Sequence, residues 1–116
     1  MEDIMATNFI QSGKMVTLPV TAGGDSGDWN MVGDLAVVLN SDADDSDEAV
    51  CSLEGVFDLS VVGNDNAGDA AVSIGDKIYA DGAELNVDVT DGTLFGYALG
   101  AVVSGETTVI PVRLKQ

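Results

Sequence analysis

Histidine is absent from this 116-residue chain, and cysteine occurs once, as Cys51. The first absence removes the commonest general base and the commonest transition-metal ligand. The second excludes an intrachain disulfide and a cysteine-built zinc site. Basic residues are almost as scarce: Lys14, Lys77, Arg113 and Lys115 stand against 20 acids, for a net charge of −16. Neutralising nucleic-acid phosphates needs clustered Lys and Arg, so no nucleic-acid partner is expected. An anionic membrane surface is excluded for the same reason. No apolar run approaches the length of a membrane span. The first ten residues carry Glu2 and Asp3 where a secretory signal carries basic residues, so a soluble protein made in the cytoplasm is expected.

What is present points to strands. The apolar fraction is 46 %, too high for a disordered acidic tail, and the length suits one domain with one core. Sixteen Val residues favour strand over helix. Short apolar segments are punctuated by Gly-Asp pairs at Gly24, Gly27, Gly33, Gly68 and Gly75 and by Asp-Gly pairs at Asp81 and Asp91. These are turn signals, because Gly adopts positive φ without strain and Asp bonds the nearby backbone.

Eight strands are expected: 14–20, 34–39, 48–56, 57–62, 77–80, 84–89, 94–99 and 107–114. Alternation places Leu35, Val37 and Leu39 on one face, Leu85, Val87 and Val89 together, and Phe95, Tyr97 and Leu99 together. In the last strand Ile110, Val112 and Leu114 point inward, Pro111 and Arg113 outward. Pro111 lacks a donor, so this strand is expected at an edge or with that side unbonded. Residues 67–72 could form one helical turn. The pattern predicts an all-β fold: a small single-domain β-sandwich or barrel of about seven to eight short strands. Residues 13–116 would form the domain and residues 1–12 an extended N-terminal arm. The similar runs Val32–Val37 and Ile74–Tyr79 read as a shared turn pattern.

Candidate sites are few. Asp42, Asp44, Asp45 and Asp47 lie in the densest acidic run, ending at Glu48, and their oxygens are the type that ligate Ca²⁺. The Gly and Glu spacing of an EF-hand loop is missing, so a solvated loop is preferred and no metal is expected. Asn64–Asp69 echoes a calcium loop without its closing Glu, and is also read as a loop. Thr107, Thr108 and Ser104 have no His to activate them. No nucleophile elbow, phosphate loop or dinucleotide fingerprint occurs, so neither an enzyme nor a cofactor is expected. Trp29, among turn residues ahead of a strand, reads either as a lid on the core or as an interface anchor. Cys51 reads as a small buried apolar residue. Phe9 and Ile10 would anchor the arm if it added a strand to a partner sheet.

The order of these elements carries a resemblance. Asn8–Lys14 leads into Val16-Thr17-Leu18. Then come Val32–Val37, Leu53–Leu59, Ile74–Tyr79, Phe95–Leu99 and the closing Thr107-Thr108-Val109 with Val112-Arg113-Leu114. This succession resembles the small capsid decoration, or cement, proteins of tailed viruses and prophages, over nearly the whole chain. The resemblance implies a mostly β fold without catalysis, and a virion protein on the outer surface of the capsid, bound to the major capsid protein. It implies a small homo-oligomer, a trimer first, with dimer or pentamer as alternatives. The interface candidates are then Phe9, Ile10, Trp29, Pro111 and Arg113. The extreme acidity departs from the family pattern and leaves two readings of the charge, turn chemistry and a high-salt habitat. The competing function is a calcium-dependent surface or carbohydrate-binding β module.

Overall fold

A computed structural model describes residues 14–116. The expected arm, with Phe9 and Ile10, lies outside the described residues. Among the described residues there is no helix, and the chain is all-β. The described residues form eleven strands: β1 (Met15–Pro19), β2 (Trp29–Val32), β3 (Leu35–Leu39), β4 (Glu48–Ser52), β5 (Val56–Val62), β6 (Asn64–Asp65), β7 (Gly68–Asp69), β8 (Lys77–Asp81), β9 (Glu84–Asn86), β10 (Thr93–Ala98) and β11 (Thr107–Leu114). All eight expected strands are present. The additional ones are β2 and the small β6–β7 hairpin, which takes the place of the expected helical turn at 67–72. Asp65 Oδ1 accepts the Ala67 N–H at 2.8 Å and closes that hairpin.

Two main sheets form, one in the order β1-β4-β3-β2 and one in the order β5-β11-β10-β8-β9. Every pairing is antiparallel. The five-stranded sheet curls partway on itself: beyond β9, Val87 N–H donates to the Asn64 carbonyl just past β5. Its concave face holds Leu59, Val61, Ile78, Leu85, Phe95, Ala98, Ile110, Val112 and Leu114, all buried. Ala36 and Val38 of β3 join this core, with Trp29 and Met31 of β2 packed against it. The register pairs Trp29 with Val38 and Met31 with Ala36, so β2 and β3 present one apolar face to the curled sheet.

The four-stranded sheet departs from simple alternation. Val37 and Leu39 do share a face, with Ala49 and Cys51, in a second apolar cluster backed by Leu18, Val20, Val32 and Leu53. Leu35 belongs with neither and is exposed, because it opens the hairpin beside Gly33-Asp34. Ala36 to Leu39 are all buried, since both faces of β3 are covered. Strand 48–56 breaks after Ser52, and Gly55 takes φ 125° before β5 begins. The Gln116 side-chain amide bonds both the N–H and the carbonyl of Ala36, tying the end of β11 to β3.

Two register expectations are corrected, and of the two alternatives for Pro111 the edge is excluded. In β10 the ladder shifts between Leu94 and Gly96, a bulge that leaves Phe95 unpaired. The extra residue reverses the facing of the residues after it: Phe95, Gly96 and Ala98 are buried, Tyr97 is half-buried and Leu99 is exposed. Next, β9 ends at Asn86, and the chain turns at Asp88, so Val89 is 66 % exposed and no longer aligned with Leu85. Finally, β11 lies inside the sheet between β5 and β10. Pro111 is tolerated because Leu99 N–H bonds its carbonyl one step past the last β10 pair, Ala98–Val112, where no ladder donor is required. Its neighbours agree with the expectation, with Ile110, Val112 and Leu114 buried and Arg113 exposed.

Candidate functional site

The acidic run between β3 and β4 is a self-satisfied turn. Asp44 Oδ1 accepts the backbone N–H groups of Ser46, at 2.8 Å, and Glu48, at 3.0 Å. Asp42 Oδ1 accepts the Ser26 N–H at 2.9 Å, pinning the turn to the 21–28 loop. Asp47 takes φ 58°, a left-handed conformation that Asp tolerates better than most residues. Asp45 and Asp47 are exposed. Among the described residues no group of three or more His, Cys, Asp or Glu is arranged to hold a metal.

A second polar cluster was not legible in the sequence. Asn86 is 1 % and Asp88 4 % exposed. Asn86 Nδ2 donates to Glu84 Oε2 at 2.7 Å, and its Oδ1 accepts the Asp88 N–H at 2.9 Å. Asp88 Oδ1 in turn accepts from Thr90 N at 2.9 Å and Asp91 N at 3.0 Å. Every partner is local, so the cluster builds the β9–β10 turn. The charge of Asp88 beside Asp91 raises the Asp91 pKa above the ordinary Asp value, with a hydrogen bond between the two carboxyls adding to it. The sequence signal was the Asp88-x-Thr90-Asp91-Gly92 turn pattern, hidden because Val87 and Val89 imitate strand alternation.

An open groove of about 700 Å³ runs between the 21–31 segment and the β8–β9 hairpin. Trp29 forms part of its wall, with Asn30, Met31, Ala80 and Thr93. Asn30 Nδ2 donates to Thr21 Oγ1 at 2.9 Å across its rim. Trp29 meets Phe95 edge-to-face, centroids 5.5 Å apart and planes at 74°, a geometry that aromatic quadrupoles favour. Trp29 is therefore the lid of the core, held in a strand and not a turn. Cys51 is fully buried, and burial pushes its thiol pKa up, so it behaves as a packing residue.

These positions do not form one site. Pro111 and Arg113 project together from the convex side of β11. Trp29 lies on β2, and the acidic turn lies between β3 and β4. Among the described residues no constellation joins a nucleophile to a base.

The phage cement protein family matches residues 10–114. The chain belongs to the phage cement protein family. Membership gives it a structural role at a phage capsid and a location in the virion. No curated protein and no solved structure gives a significant match.

Proposed function

We propose that this cement protein binds the outside of the major capsid shell and stabilises it, without catalysis. The observation that carries the reading is the family match over residues 10–114 of an all-β scaffold. A protein that bridges neighbouring shell subunits contributes binding free energy only in the assembled lattice. At a free concentration of 100 times Kd, each occupied site gains about 2.7 kcal/mol against disassembly. The absence of His leaves hydroxyl groups without their usual base, which agrees with a structural role. The copies act as a small homo-oligomer, with a trimer as the first expectation, made in the host cytoplasm before they reach the shell. Phe9 and Ile10 of the arm contribute contact area beyond the β scaffold.

The test is the heat stability of purified shells with and without the protein, followed by release of packaged DNA. Added protein is expected to raise the release temperature and to saturate at a fixed number of copies per shell. Deleting residues 1–11 is expected to leave a folded protein with reduced occupancy. Shells unchanged at saturating protein would refute the cementing role, and full occupancy by the truncated protein would refute the arm's contribution.

A further inference from the structure

Part of the convex side of the five-stranded sheet, next to the acidic Asp81–Glu84 pair of β8 and β9, carries cations among apolar side chains. Along β11 it presents Val109, Pro111 and Arg113, and the register sets Asp58 opposite Pro111 and Val56 opposite Arg113. On the other flank Tyr97 pairs with Arg113, and Lys77 of β8 pairs with Tyr97. Leu99 N–H bonds the Pro111 carbonyl and completes the strip. Three of its apolar side chains are strongly exposed: Val109 at 62 %, Val56 at 53 % and Leu99 at 41 %. Two of the four basic residues of the chain, Lys77 and Arg113, stand among them, with Asp58 as the acid on these pairs. In a chain of net charge −16, this places cations and adjoining apolar surface on one ordered face.

We propose that this strip is the surface that docks on the capsid shell, an assignment that rests on the cement function above. A contiguous exposed apolar patch marks an interaction site, and cations interspersed in it select a partner whose matching surface is apolar and carries carboxylates. Arg113 suits this role because its planar guanidinium engages a carboxylate through two N–H groups. A second copy of this chain is a poorer occupant. A symmetric contact through the strip would gather four cations on one patch.

The experiment measures binding of the full-length protein to purified shells that lack it, by co-sedimentation. Val109→Asp combined with Arg113→Glu is compared with Lys77→Glu and with a control, Val89→Asp. Light scattering gives the oligomeric state of each variant, and a thermal melt reports its folding. The double variant is expected to bind at least 100-fold more weakly and Lys77→Glu about 10-fold, with melts and oligomeric state unchanged and the control binding as wild type. Normal binding by both strip variants would overturn the assignment while leaving the cement function intact. Loss of the oligomer in those variants would overturn it in favour of a contact between copies. Failure of the wild-type protein to bind any shell would overturn the function and the assignment together.

Discussion

Phe95 is where the two sheets are joined, and truncating it tests the account of the core. The bulge in β10 delivers its ring to the interior, where it is fully buried and meets Trp29 edge-to-face at 5.5 Å. Phe95→Ala removes the largest fully buried side chain among the described residues and leaves a cavity that the rigid sheets can only partly close. Such truncations cost about 3–5 kcal/mol. A chain of this length has a total stability of roughly 6–17 kcal/mol, so the loss is a large share of the whole. The corresponding fall in Tm is roughly 10–30 °C. Urea titration followed by circular dichroism gives the free energy. A double-mutant cycle with Trp29→Leu isolates the ring pair, for which the expected coupling is about 0.5–1.5 kcal/mol. A loss below about 1.5 kcal/mol would refute central burial of Phe95, since it falls well under the range for truncating a core Phe. Zero coupling would show that the sheets do not meet through these rings.

Gly96 should tolerate no side chain: a Cβ there would lie 2.2 Å from the Arg113 carbonyl oxygen. Gly96→Ala is expected to cost about 1–3 kcal/mol through forced displacement of β11, measured by the same titration, and a neutral outcome would contradict the β10–β11 register. Asp91→Asn removes the repulsion from Asp88 that raises the Asp91 pKa. The raised folded-state pKa means that wild type gains stability from this pair as pH falls through it, and lacks that gain at neutral pH. The variant is therefore expected to melt slightly higher than wild type at pH 7. The difference should close as pH falls through the carboxylate range, and a constant difference would refute the coupling. Thermal melts in Ca²⁺ and in EDTA at matched ionic strength are expected to coincide, because Asp42 and Asp44 already accept backbone donors. A Ca²⁺-specific rise would favour the calcium-dependent module.

The sequence carried the strands well because alternation and Gly-Asp punctuation are local. All eight expected strands exist, and the inward set of Ile110, Val112 and Leu114 comes directly from the two-residue period. What failed depended on the neighbours of a strand. The bulge at Phe95 is invisible in β10 alone, since the extra residue is defined only against Ile78 and Tyr79 across the ladder. Trp29-Asn30-Met31-Val32 has too little alternating polarity to read as a strand, and it becomes one by pairing with β3. Leu35 was grouped with Val37 and Leu39 by parity, yet burial of both faces of β3 arises from two separate clusters. Pro111 suggested an edge or an unbonded donor side, and choosing between them needed the pairing: β11 is interior, and the missing donor lies beyond the end of β10. The strip on β11 was half legible: Pro111 and Arg113 were outward in sequence, but Lys77, Tyr97 and Leu99 reach the same face only through pairing and the shifted register.

The preference for Asp over Glu, 15 to 5, has a structural cause in the turns. Asp28, Asp42, Asp44, Asp65, Asp76 and Asp88 each accept a backbone N–H within a turn or between adjoining loops. A Glu side chain is one methylene too long to make these short-range bonds in the same geometry. The acceptor, and not the charge, is what such turns require, and Asn supplies the same Oδ1 acceptor. Turn chemistry and net charge are therefore separable. Replacing Asp28, Asp42, Asp44, Asp65 and Asp76 by Asn takes the net charge from −16 to −11 while preserving each acceptor. The variant is expected to fold with a Tm at or above that of wild type in low salt, because self-repulsion falls. The gap should narrow in 1 M salt, where the Debye length is about 3 Å. If the five Asn residues instead lowered Tm at every salt concentration, the charge itself would be holding the turns, and the acceptor argument would fail.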